Sequence, residues 1–135
     1  MLQWLYQKEN KMNKLRKNQV VHKDWRVKSE GYFDKRRQVM DIIYKARRIY
    51  RDAPRVEVKI MTKEGGLAWL GQNIIAIGED VADEALVHVV LHELCHTWFR
   101  LEHNENCLLM KAQYYGTEVA DKAWERFEEI VKDKA

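Results

Sequence analysis

Apolar positions repeat at helical spacing in three stretches of the chain and alternate in one. From Asp34 to Arg51, residues Val39, Ile42, Ile43, Ala46, Ile49 and Tyr50 recur every three or four positions with Lys and Arg between them. This spacing predicts an amphipathic helix that Pro54 must end. Arg55 to Thr62 reads differently, because Val56, Val58 and Ile60 alternate with charges as in a half-buried strand. After Gly65-Gly66, the runs Leu67–Leu70 and Ile74–Ile77 predict two short strands joined by a turn over Gly71-Gln72-Asn73. A second helix is expected from Ala82 to about Leu101, with Ala85, Leu86, Val89, Val90 and Leu94 as its buried stripe and Asp80 or Asp83 as its cap. A third is expected from Glu118 to Val131, capped by Thr117 and burying Val119, Ala120, Ala123, Trp124, Phe127, Ile130 and Val131.

The order helix, three strands, helix, helix predicts an α+β fold with a small mixed or antiparallel sheet. Residues 1–30 show only a weak helical pattern and read as a basic N-terminal arm. Residues 31–135 read as one domain, since 135 residues suffice for a single core.

Composition narrows the class. Hydrophobic residues make up 46% and charged residues 33%, as in a globular rather than a disordered chain. No apolar run approaches the roughly 18 residues of a membrane span. No cleavable leader is visible, and two cysteines are too few for a disulfide scaffold, so a cytoplasmic setting is expected. The net charge of +3 hides an asymmetry. Residues 1–60 carry 17 Lys and Arg against 7 Asp and Glu, and residues 61–135 carry 7 against 14. A basic half of this kind can contact nucleic acid, or simply neutralise the acidic half within one fold.

The chemistry is concentrated near residue 95. Four of five histidines lie between positions 88 and 103, and His92-Glu93-Leu94-Cys95-His96 reads H-E-x-x-H on an expected helix. Residues four apart share a helical face, so His92 and His96 can turn imidazole nitrogens toward one metal ion. Glu93 is rotated by about 100° from His92, within reach of a water at that ion. The metal would lower the water's pKa, and the carboxylate could take its proton and return it to a leaving group.

With strands before it, this motif resembles the zincins, a superfamily of zinc metallopeptidases, over about residues 55–133. The resemblance implies a zincin-like fold, Zn²⁺ as cofactor, Glu93 as general base and acid, and hydrolysis of a peptide or protein substrate held extended along an edge strand within Gly66–Ile77. The third ligand would name the branch. His96 to His103, followed by Asn104–Met110, is similar to the metzincin pattern and its Met-turn, but His103 stands seven residues after His96 and no glycine intervenes. Without a break near Phe99–Glu102, His103 would lie too far along the helix. The SprT-like zincins, similar over His92–Trp98, make no demand for that glycine, and their resemblance implies action on DNA-bound proteins. Glu118, followed by Asp121, stands where gluzincins take a glutamate, and is equally a helix-first-turn acid. Cys107 is a fourth candidate but fits a small buried residue better. His88 completes an i, i+4, i+8 series too long for one ion and reads as structural. Cys95, Trp69 and Trp98 read as core, and His22 carries no signal. A reading from another class is a non-catalytic zinc-binding module whose basic half binds nucleic acid.

Overall fold

The computed structural model describes residues 30–62, 65–111 and 120–135. Residues 1–29 of the expected arm, and Thr117 and Glu118, lie outside the described residues. The fold is mixed α+β, with three helices and a three-stranded sheet among the described residues. Helix α1 spans Glu30–Ile49, strands β1, β2 and β3 span Glu57–Met61, Gly66–Trp69 and Ile74–Gly78, and helices α2 and α3 span Asp83–Phe99 and Ala120–Lys134. The strands are ordered β1-β3-β2, with β1 parallel and β2 antiparallel to the central β3. β2 therefore has no strand partner along its outer side among the described residues.

The register sets two rows across the core-facing side of the sheet. Val58, Ile75 and Ala68 form one row, and Ile60, Ile77 and Gly66 form the next. All but Gly66 join a core with Val39, Ile43 and Ala46 of α1, with Leu91, Leu94 and Cys95 of α2, and with Phe127 and Ile130 of α3. Each row thus tapers toward β2, where alanine and glycine let the backbone of α2 come close.

Helix α1 is fastened to the sheet and to the start of α2 by polar side chains. Arg36 donates to the Val58 carbonyl at 3.0 Å. The buried Lys35 ammonium donates to the Val81 carbonyl and stands 3.6 Å from the Asp83 carboxylate. These bonds satisfy a charge that would otherwise be costly to bury. At the other end of α1, Tyr50 stacks on Phe99 and meets Trp98 edge-on, and Trp98 donates to the Pro54 carbonyl at 3.2 Å.

Two expectations about α2 need correction. Neither Asp80 nor Asp83 caps it. Ala82 occupies the cap position with no side-chain bond, and Asp83 lies in the first turn, where it meets Lys35 and Gln38. Nor does α2 bury a single stripe. From Val90 to Thr97 every residue is buried, because the sheet, α1 and α3 all pack against it. This stretch of the helix leaves the polar residues His92, Glu93, His96 and Thr97 inside the molecule. No described helix is long and apolar enough to cross a membrane.

Candidate metal centre

Three histidines converge at the C-terminal half of α2. One ring nitrogen from each of His92, His96 and His103 lies within 4.8 Å of the other two. The ring centroids are 4.6, 5.2 and 4.9 Å apart for the pairs 92–96, 92–103 and 96–103. His92 and His96 are buried and His103 is half-buried, so the cluster opens to solvent on the His103 side.

His103 reaches the cluster because α2 stops at Phe99. Arg100 adopts the left-handed conformation, with φ 57° and ψ 29°, and its N–H turns back to the Cys95 carbonyl. The Leu101 N–H reaches the same carbonyl at 3.3 Å. The break that the sequence requires between Phe99 and Glu102 is thus made by an arginine doing what glycine does at many helix ends. The following loop closes on itself, with Asn104 N–H donating to the Met110 carbonyl at 2.8 Å and Cys107 N–H to the Asn104 carbonyl at 3.0 Å. It also returns under the helix. The Leu109 carbonyl stands 2.7 Å from His92 Nδ1, and the Leu101 carbonyl stands 2.5 Å from His96 Nδ1.

Those two carbonyls fix the tautomers. A carbonyl only accepts, so each Nδ1 carries the proton and each Nε2 presents a bare lone pair. The two Nε2 atoms face each other at 3.1 Å with no proton of their own to share. Burial holds His92 down to about 3, helped by the neighbouring His96, and burial holds His96 down to about 4. Burial also lowers His103. Opposed neutral lone pairs at this distance repel, and a cation between them removes the repulsion. Two nitrogens on one tetrahedral metal with bonds near 2.05 Å stand about 3.3 Å apart. The donor set therefore fits a divalent transition metal, and the Nδ1–H bonds to Leu109 and Leu101 aim the rings at it.

Glu93 lies one position along the helix from His92 and is buried at 6% exposure. Its carboxyl rests on Gly66, at the edge of the row Ile60–Ile77–Gly66. A Cβ at Gly66 would stand 2.8 Å from Glu93 Oε2 and 2.9 Å from its Cγ. Burial raises the Glu93 carboxyl from 4.5 to about 8. A carboxyl of that pKa can take and give a proton near neutrality.

Other sequence candidates fall elsewhere. Cys95 is fully buried in the core, and burial pushes its thiol far up. Cys107 is also buried, and its sulfur accepts from Arg126 Nε at 3.4 Å. His88 is buried and stacks on His92 with centroids 6.3 Å apart, outside the converging three. Trp98 is half-buried against the core, and Trp69 is half-buried outside the core cluster. Sequence reasoning did not single out Gly66 as the seat of Glu93, or Arg100 as the turn. For Gly66 the signal was available, since Gly66 and Ala68 are the two small residues on one face of a short strand.

No protein-family model, curated protein or solved structure matches this chain.

Proposed function

We propose that this chain is a zinc-dependent metallopeptidase of zincin type. The observation that carries the reading is the pairing of two features on one helix. His92, His96 and His103 offer three neutral nitrogens to one ion, and Glu93, the residue after His92 on the same helix, lays its carboxyl against the edge strand β2. The three histidines would hold zinc, which in such a site supplies Lewis acidity and lowers the pKa of a bound water. Glu93, in its ionised form, accepts the proton of the attacking water. The water oxygen bonds to the carbonyl carbon, and Glu93 returns the proton to the amine nitrogen as the C–N bond breaks. The outer side of β2, which has no strand partner among the described residues, offers backbone groups to an extended peptide. The substrate is then a peptide bond in an unfolded or extended segment.

The cluster offers three donors among the described residues. Three ligands leave a fourth position for water, as catalytic zinc sites do, whereas a structural site closes with four. This favours an enzyme over a zinc-binding module. A helix end turned by Arg100 without glycine favours the SprT-like branch, and the basic residues of 1–60 would then lie against nucleic acid carrying the protein substrate.

The test is Glu93→Gln, which keeps size and hydrogen bonding but loses the basic carboxylate. We expect full zinc content and loss of hydrolysis of unfolded casein or a peptide library. Equal turnover by wild type and mutant would refute the assignment.

A further inference from the structure

Thr97 follows His96 in the last turn of α2 and is 1% exposed. Its hydroxyl donates to the Trp69 carbonyl at 2.8 Å and accepts from the Asn73 N–H at 2.8 Å. Its own carbonyl accepts from the Gly71 N–H at 3.2 Å. One residue therefore holds three backbone groups of the β2–β3 connection. A threonine inside a helix ordinarily turns its hydroxyl to a carbonyl of the preceding turn. Here the hydroxyl is spent across to the sheet instead.

The connection is shaped to meet it. Gly71 and Asn73 both have positive φ, 71° and 61°, which turns their N–H groups toward the helix. The Arg100 guanidinium lies over Gly71 where any Cβ would collide with it. At the far end of the strand, the Glu93 carboxyl rests on Gly66. Strand β2 is thus fixed to α2 at both ends, at Gly66 by Glu93 and at Trp69 by Thr97, four residues apart on the helix that carries His92 and His96.

We infer that Thr97 is a positioning residue that sets the register of β2 against the metal-binding histidines, and so decides which bond of an extended peptide paired to β2 falls beside Glu93. This inference rests on the peptidase reading above. The mechanical reason is that, among the described residues, β2 pairs with another strand on one side only, at β3. A slip or tilt of β2 relative to α2 would carry a paired peptide with it, and a displacement of about 1 Å at the reacting bond costs on the order of a hundredfold in rate. Hydrogen bonds to Thr97 oppose that slip without touching the metal or the reacting atoms.

The experiment compares wild type, Thr97→Val and Thr97→Ser in the full, zinc-loaded chain. Valine keeps the branched shape and loses the hydroxyl, whereas serine keeps the hydroxyl. Three quantities are read: zinc content, amide hydrogen exchange at Gly71 and Asn73, and kinetics with mapped cleavage positions on a peptide library. For Thr97→Val we expect unchanged zinc, exchange faster by about tenfold or more at Asn73 as its hydrogen bond is lost, a raised KM, and cleavage spread over neighbouring bonds. Thr97→Ser should restore the single position. Unchanged exchange in Thr97→Val would overturn the inference. So would faster exchange with an unaltered KM and cleavage pattern, or loss of zinc in parallel with activity. An inactive wild type would instead refute the peptidase reading, and this inference with it.

Discussion

Glu93 occupies the space that a Cβ on Gly66 would take, its Oε2 2.8 Å and its Cγ 2.9 Å from that position. The contact joins the residue that would move protons to the strand that would hold substrate. It also explains why a glycine ends the row Ile60–Ile77–Gly66. Gly66→Ala should displace the Glu93 carboxyl while leaving the three histidines in place. We expect zinc content near wild type and kcat/KM lower by about tenfold to a hundredfold, the scale of a misplaced catalytic group. Elemental analysis and peptide hydrolysis on the same preparation check it. Unimpaired hydrolysis would show that the contact is incidental.

His103 and Glu118 make opposite predictions. If His103 is the third ligand, His103→Ala should weaken zinc by orders of magnitude, and Glu118→Ala should leave zinc affinity unchanged. Competition with a chromophoric chelator separates the two. Tight zinc binding that survives His103→Ala would reject the cluster as the metal site.

Arg100 holds its left-handed conformation without being glycine, at a cost of about 1 kcal/mol. Arg100→Gly should remove that cost and leave stability within about 1 kcal/mol of wild type, because it also gives up the packing over Gly71. Arg100→Val should be clearly destabilised, since a β-branched residue resists positive φ. It should also bind zinc more weakly, because His103 depends on the turn. Denaturant melts and zinc competition on both variants check this. Equal behaviour of the glycine and valine variants would contradict the role given to the turn.

Stability of the metal-stripped chain should depend on pH in two opposed ways. Burial holds His88 at about 4, His92 at about 3 and His96 at about 4, below the ordinary 6.5. As pH falls below 6.5 the unfolded chain gains protons that the folded chain refuses, so stability drops until the folded histidines protonate near 4 and 3. Burial raises Glu93 from 4.5 to about 8, so the folded chain keeps a proton that the unfolded chain has lost. That contribution is full below 4.5 and is lost as pH rises through 8. Three histidines outweigh one glutamate between 4.5 and 6.5. The melting temperature should therefore peak near pH 6.5, fall steeply on the acid side and gently on the alkaline side. Glu93→Gln should flatten the alkaline arm and steepen the acid arm above pH 4.5. Thermal melts across pH 4–9 with chelator present decide it.

The elements were legible in the sequence, because apolar periodicity follows directly from which faces are buried. The alternation Val56, Val58, Ile60 located β1 (Glu57–Met61), and the hairpin around Gly71-Gln72-Asn73 was placed to within a residue. The ends of α2 were not legible. Its start lacks a side-chain cap, and its stop depends on a left-handed arginine, for which local propensity gives no signal. The stop is held by the β2–β3 connection, which Thr97 and Arg100 reach only in the folded chain.

The same division runs through the site. Spacing alone put His92, Glu93 and His96 within a turn of one another, since any helix over these residues must do so. The place of His103 beside them was decided by tertiary structure. Seven residues of chain can end almost anywhere, and here the Arg100 turn and the Leu101 carbonyl bring the loop to the cluster. The neutral, opposed lone pairs of His92 and His96 and the raised Glu93 carboxyl have the same origin. They come from burial of α2 between the sheet and two helices, and burial is a property of the packed molecule that no five-residue motif contains.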